Sequence, residues 1–421
     1  MQSDEIRRAF RDYFAQRGHT VVPSASLVPD ALDPSVLLTT AGMQPFKPYV
    51  LGLRTPPGPR LTSTQKCFRT TDIDEVGLTA RHLTLFEMMG NFSFGDYFKE
   101  GAVGFAWELS TQGWKIDPEK IWITVFGGDE QVPMDAEAEQ LWLDVGVPRE
   151  RIRHLGRKDN FWQAGPTGPC GPCSELYYDR GPEHGCGREP GPDGCGPGCH
   201  CDRFLEFWNL VFMQYDQDAE GLLTPLPKPS IDTGAGVERV SALLQGVHSV
   251  YETDAFTPII TAIEGWTGTS YTSGGIETRA LRVLADHGRA MTFLAADGVL
   301  PGNEGRGYIL RRIVRRAVSH GGRIGLDEPF LVRLQGLVVD RLGEAYPELV
   351  SSRDEVAAIL AAEEEGFRRT LRTGAPRCSV PCSRTTTRAW SPSKRSTCST
   401  AARPPSDSIE PRSETCPPPS A

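Results

Sequence analysis

KCFRTTDIDEVGLTARHLTLFEMMGNFSFGDYF, residues 66–98, reads as two strand-like pieces separated by a loop of charged and turn residues. In the second piece His82, Thr84, Phe86 and Met88 alternate with Leu83, Leu85 and Met89, the period of two that sends successive side chains to opposite faces of a strand. One face then offers an imidazole, an aromatic ring and a thioether. Arg69 closes the first piece and faces the loop. An arginine near a stackable phenylalanine suits a nucleotide, with guanidinium on phosphate and ring on base. The same aromatic stripe would serve a plain core, and this segment alone does not choose.

Working outward, SIDTGAGVERVSALLQG (230–246) places Gly234 and Gly236 just ahead of a helical pattern, with Arg239 in its first turn and Asp232 before the glycines. Glycines there allow close backbone approach, so the turn either takes an anion or is a simple strand–turn–helix joint. FLEFWNLVFMQY (204–215) is apolar on both faces, which predicts a central strand. Asn209 and Val211 share a face at period two, and Glu206 falls on the other. Residues 3–17 predict a helix, with Ser3 as N-cap, Ile6, Phe10 and Phe14 along one side and Gly18 as the stop. Residues 134–146 read as a second helix. From about 277 the pattern is helical throughout: 277–296, 306–320, 328–343 and 353–372. EGWTGTSYTSGG (264–275) is loop-like. The fold class is therefore α+β over 1–245, followed by an all-α part over 246–374.

The composition of the 421 residues, 24% charged and 39% hydrophobic with eleven cysteines, excludes global disorder. No apolar run approaches a membrane span, and the first thirty residues alternate charge with hydrophobe, unlike a secretory signal. Those features place the chain in a reducing cytoplasm, where cysteines are thiols or metal ligands. A net charge of −9 argues against nucleic acid as a partner. That average conceals Arg311, Arg312, Arg315 and Arg316, which share one face of the 306–320 helix, with Arg306 and Arg323 flanking them. With no acid beside them in sequence they would repel unless an anion is near, so they read either as a solvated face or as an RNA phosphate contact.

Two further features stand apart. HGCGREPGPDGCGPGCHC (184–201) carries Cys186, Cys195, Cys199 and Cys201, four thiols that suggest a structural zinc site, with His184 and His200 as substitutes. The spacing is not C-x2-C, so free loop thiols stand as the alternative. Cys170 and Cys173 do have that spacing. After Ala375 the sequence turns to Ser, Pro, Thr, Arg and Cys without period, either a natural low-complexity linker or an out-of-frame translation. Just before it, Val356, Leu360, Phe367 and Leu371 form a helical stripe that ends without an evident partner.

TTAGMQPFKPYVLG (39–52), TARHLTLFEMMGNFSFGDYF (79–98), DNFWQAGPTGPCGPCSE (159–175), WNLVFMQY (208–215), IDTGAGVERV (231–240) and NEGRGYILRRIVRRAV (303–318) together resemble the class II aminoacyl-tRNA synthetases. More narrowly they resemble the alanyl-tRNA synthetases, from residue 1 to about 374. The resemblance implies an antiparallel sheet of six to seven strands flanked by helices, which binds ATP and alanine. Arg69 would hold the α-phosphate, His82 would lie on the ATP side, Phe86 would stack on adenine and Arg239 would take the γ-phosphate; these two arginines are the expected catalytic groups. Met43, Trp162, Asn209, Val211 and Asp232 would form the alanine pocket, with Asp232 pairing the ammonium. Mg2+ would bridge phosphate oxygens; its carboxylates are not assigned, since Glu206 falls on the wrong face.

The helical part would bind the acceptor stem of tRNA(Ala), with Asn303 reading a G:U pair and Arg306, Arg311, Arg312, Arg315 and Arg316 on phosphates. The resemblance further implies a cytoplasmic monomer without the family's editing and oligomerisation domains, hence also without the zinc site of the editing domain. An active alanine–tRNA ligase is the expected function. An RNA-binding product without turnover, or a ligase of another amino acid on the same scaffold, is the alternative.

Overall fold

The computed structural model describes residues 1–30, 33, 36–191 and 194–374. The tail at 375–421 lies outside the described residues. The strands are β1 (Thr20–Val21), β2 (Arg60–Phe68), β3 (Leu85–Phe94), β4 (Ile121–Phe126), β5 (Ile152–Leu155), β6 (Phe161–Gln163), β7 (Gly168–Asp179), β8 (Phe204–Gln217) and β9 (Leu223–Gly236). The helices are α1 (Ser3–Ala15), α2 (Lys47–Val50), α3 (Lys99–Glu108), α4 (Ala136–Asp144), α5 (Arg157–Asn160), α6 (Val237–Gln245), α7 (Thr257–Thr267), α8 (Gly275–Ala296), α9 (Gly305–Arg323), α10 (Leu331–Leu342), α11 (Pro347–Ser351) and α12 (Arg353–Gly374).

One sheet runs β1-β2-β3-β9-β8-β7-β4-β5, with β6 added on β7. From β2 to β4 every pairing is antiparallel, whereas the outermost β1 and β5 pair parallel to their neighbours. The expected antiparallel sheet, flanked by helices and followed by a helical region, is thus present. It has nine strands rather than six or seven, because the parallel edges and the short β6 extend it.

Strand β8 is central, as its two-sided apolar run requires. Trp208, Leu210 and Phe212 pack under α1, α3 and α6, in a core that includes Ile6, Phe10, Phe14, Ala106 and Val240. Asn209 and Val211 point the other way, across from Gly234 and Asp232 of β9. At the start of α1 the cap is Gln2, which forms a reciprocal box with Glu5. Ser3, the expected cap, instead bonds Ser241 and Asp254, because a buried hydroxyl takes a tertiary partner when one is offered. The glycine turn before α6 is absent: β9 continues through Gly234 and Gly236 and passes directly into the helix. A Cβ on Gly234 would sit 2.7 Å from Met88 Sδ, so the glycine serves close packing of β9 on β3.

In the loop-like run 264–275 the helix α7 persists to Thr267 and ends at Gly268, whose φ is 71°. Helices α7–α12 share a core that also takes Phe68, Leu83 and Leu85 from the ends of β2 and β3. The stripe on α12 does find partners there: Val356 and Leu360 are buried in that core and Phe367 packs on it, while Leu371 is exposed.

A buried ion network ties these elements together. Arg7 of α1 grips Glu87 of β3 with two nitrogens. Tyr346 donates its hydroxyl to Glu87 at 2.7 Å, and Arg289 of α8 bonds Glu238 of α6 at 2.6 Å. Burial alone would raise the Glu87 carboxyl, yet Arg7 and Arg289 hold it below its ordinary value.

Candidate active site

The site forms on the sheet face opposite α1. Period two on β3, β8 and β9 brings Phe86, Met88, Asn209, Val211, Asp232 and Gly234 to one cleft, with Arg69, His82, Trp162 and Arg239 around them. The register explains the grouping, since Val211 lies across from Asp232, Asn209 from Gly234 and Met88 from Gly236. Met43 is the exception among the expected residues. It is buried beneath a neighbouring cavity that shares Ala41, Arg69 and Trp162, and Ala41 lines the cleft instead.

Arg69 directly follows β2, and its amide bonds Thr84 O at 2.9 Å, which closes the loop between β2 and β3. Its guanidinium lies 4.9 Å from the centre of the Phe86 ring, so phosphate-seeking charge and stacking surface are adjacent. His82 Nδ1 lies 2.8 Å from Thr79 Oγ1, and burial lowers its pKa. The alternation expected through residues 82–88 starts only at β3. Thr84 turns into the core, where Asp286 accepts from its amide at 2.8 Å and from its hydroxyl, while Leu83 reaches the cleft.

Arg239, in the first turn of α6, donates to Glu206 Oε2 at 2.8 Å and to the Glu206 carbonyl at 3.1 Å. Period two had put Glu206 on the far face. The pairing of β8 with β7 slips by one residue here: Leu176 faces Trp208, but Tyr177 faces Glu206. Phe207 is the unpaired residue, and this bulge returns Glu206 to the cleft. Beside it Glu175 is buried, accepting from Tyr177 at 2.7 Å and Asn209 Nδ2 at 3.1 Å. Burial, helped by the Glu206 charge, pushes the Glu175 carboxyl up to about 8. Asn209 Oδ1 is buried without a partner among the described residues. Asp232 is raised to about 7 by burial alone, with no cation beside it among the described residues to lower it.

Two other groups of residues were singled out in the sequence. Cys186, Cys195, Cys199 and Cys201 converge, their sulfurs all within 4.8 Å of one another. His184 instead stacks on His248 at 4.7 Å and stands outside the group. The Arg188 guanidinium beside Cys186 draws that thiol down to about 6. Cys170 and Cys173 are buried free thiols on β7.

On α9 the apolar face is as read, with Leu310, Ile313, Val314, Ala317 and Val318 buried. The arginine face, however, is supplied with acids from distant segments. Arg311 and Arg315 both donate to Glu363 at 3.1 Å, and Arg312 to Asp74 at 2.8 Å. Arg316 contacts His287 at 2.8 Å and donates to Val76 O at 3.0 Å. Asn303 accepts from Arg311, and Arg306 donates to Leu37 O. For Arg311, Arg312 and Arg315 the mutual repulsion is therefore already relieved within the chain. Arg312 and Arg315 retain 39% and 43% side-chain exposure, against 23% for Arg311.

No helix among the described residues is long and apolar enough to cross a membrane. Residues 5–387 match the family profile described as tRNA synthetases class II (A). The chain is 52% identical over 374 residues to an alanine–tRNA ligase of Desulforudis audaxviator, an alignment covering 89% of this chain and 41% of that protein. With the alanine–tRNA ligase of Thermotoga maritima it shares 51% over 376 residues, covering 89% and 42%. It thus spans about two fifths of the length of these relatives. A solved apo histidyl-tRNA synthetase from S. aureus aligns with TM-score 0.35 and 11% identity, over 57% of this chain and 66% of that one. With the family profile running through every strand and helix that builds the cleft, the chain belongs to the class II (A) tRNA synthetases.

Proposed function

We propose that this chain is the aminoacylation part of an alanine–tRNA ligase, with residues 1–245 activating alanine and 246–374 engaging the tRNA(Ala) acceptor stem. The observation that carries the reading is one cleft lined by two arginines, Arg69 and Arg239, together with the buried carboxylate of Asp232. That set suits a triphosphate and a small ammonium-bearing substrate held side by side.

In the first step an alanine carboxylate oxygen attacks the α-phosphorus in line, and the bond to pyrophosphate breaks. No protein nucleophile is needed. Arg69 neutralises charge developing on the α-phosphate and Arg239 holds the γ-phosphate, so catalysis is positioning plus electrostatics. Phe86 stacks on adenine, and His82 lines the same side. Asp232 accepts the alanine ammonium together with the unpartnered Asn209 Oδ1, while Val211 and Trp162 bound the methyl and Met43 backs that wall. Glu206, an oxygen donor beside Arg239, fits a hard divalent cation and would hold Mg2+, which when bound screens phosphate charge. In the second step the terminal adenosine hydroxyl of the tRNA attacks the adenylate carbonyl and AMP leaves. Asn303, Arg306, Arg311, Arg312, Arg315 and Arg316 line the surface that would receive the stem. The four loop thiols are the Zn2+ donors of this reading.

The test is alanine-dependent exchange of pyrophosphate into ATP. Exchange should be driven by alanine and by no other amino acid at similar concentration. Arg239→Ala should lose roughly a hundredfold or more in rate with its circular dichroism unchanged; full exchange in that variant would defeat the assignment.

A further inference from the structure

The loop between β7 and β8 is built around its cysteines. Cys186 and Cys199 sulfurs lie 3.8 Å apart, and those of Cys195 and Cys201 3.5 Å apart. A tetrahedral zinc with thiolates at about 2.3 Å requires sulfur–sulfur edges of about 3.8 Å. The backbone is shaped to make this approach. The amide of Cys195 bonds Glu189 O at 2.9 Å, and a Cβ on Gly194 would meet that same carbonyl at 2.1 Å. Arg188 donates toward the sulfurs of Cys186 and Cys199 at 3.4 and 3.6 Å, a cation placed against a site that would carry excess thiolate charge. At the base of the loop Arg203 grips Asp179 with two bonds of 2.7 Å.

Two ties connect this loop to the cleft. Asp202, next to Cys201, accepts from Arg81 at 2.7 Å, and Arg81 lines the cleft together with His82. Tyr177, like Cys199 and Cys201, packs on the cluster of Trp122, Cys195 and Phe204, and it donates its hydroxyl to Glu175, which in turn holds Asn209.

We propose that Cys186, Cys195, Cys199 and Cys201 bind one Zn2+ that acts as a clip, fixing Asp202 so that Arg81 stays in place at the rim of the nucleotide cleft. The ligand set rests only on the geometry of the loop; the role of the clip rests on the cleft being the ATP site proposed above. Arg81 is a positioning residue at that rim, and the metal acts on it through Asp202.

The experiment uses the full chain with Cys378, Cys382, Cys398 and Cys416 replaced by serine, so that thiols of the tail do not contribute. Elemental analysis after dialysis should find one zinc per chain. Exchange for Co2+ should give the thiolate charge-transfer and visible bands of a tetrahedral four-sulfur site. Cys199→Ser should lose both. Chelation of the zinc, or Cys199→Ser, should raise KM for ATP by about fivefold with the maximal exchange rate changed less than about twofold. Asp202→Ala keeps all four thiols, so it should retain the metal and still raise KM for ATP. Absence of bound zinc, a Co2+ spectrum indifferent to Cys199→Ser, or two disulfides in place of four titratable loop thiols would overturn the site. Bound zinc whose removal leaves KM for ATP unchanged would overturn the clip. Calorimetric titration with ATP reads the same effect without turnover, so failure of the alanine assignment is separable from failure of the clip.

Discussion

Asp232 is buried with nothing of opposite charge beside it among the described residues, and its carboxyl is lifted to about 7. Its ionised form is therefore the one that costs stability. The unfolded chain releases this proton near pH 3.8 and the folded chain only near 7, so the neutral form favours folding at low pH and that benefit disappears as pH rises through 7. Asp232→Asn should melt at higher temperature than the parent at pH 8 in a calorimetric scan, yet lose alanine-dependent exchange. An alanine ammonium needs the charged carboxylate, so KM for alanine should rise about tenfold per pH unit below pH 7 in exchange assays, while KM for ATP stays nearly flat. At this scale much was legible in the sequence. Asn209 and Val211 declare a common face by period two, and Arg69 and Arg239 flank the right segments. Glu206 was not legible, because one bulged residue inverts the alternation and the bulge is a property of the pairing with β7, which residues 204–215 do not contain.

At the scale of elements, the stretch TGPCGPCSE takes on a mechanical meaning. The β7–β8 register shifts between Cys170 and Cys173. A Cβ on Gly171 would stand 2.0 Å from the Phe212 carbonyl oxygen. Gly171→Ala should therefore force the two strands apart beneath Val211 and cost about 2–4 kcal/mol in denaturant unfolding; a normal midpoint would refute the packing argument. Helix α9 makes a different prediction. Its Arg311, Arg312 and Arg315 are already engaged by Glu363 and Asp74, so the RNA binding proposed above would exchange one anion for another. Arg315→Glu, at a half-exposed position, should weaken tRNA binding and lower the slope of log affinity against log salt by about one, as measured by filter binding. The amphipathic pattern of α9 was plain in the sequence. Its counter-ions were not, since Glu363 lies 52 residues from Arg311 and Asp74 lies 238 from Arg312. Helix α7 was hidden by the Gly and Thr residues of 264–275, whose weak helix propensity is outweighed by burial of Ile259, Ile260 and Ile263.

For the whole molecule, the class of fold followed from strand-like runs giving way to helical ones. The sheet order did not, because β9 enters between β3 and β8 by pairings that no local pattern encodes. The acidic average of the chain likewise said little about where its charges meet. Inside the fold, Arg7, Glu87, Tyr346, Glu238 and Arg289 draw on α1, β3, α6, α8 and the segment before α11.

That network sets a limit on how the chain divides. A polypeptide ending at residue 245 would keep Glu87 and Glu238 but lose Arg289 and Tyr346, and with them the apolar cover over Phe68 and Leu85. Leaving one carboxylate of a buried pair without its partner costs about 3–5 kcal/mol, a large share of what a domain has to spare. Residues 1–245 expressed alone should accordingly be protease-sensitive and lack a cooperative melt, whereas 1–374 should show one. The half that carries the cleft and the helical half are then a single folding unit, in which a substitution at Arg289, far along the sequence from every cleft residue, is felt first as loss of the sheet that carries the cleft.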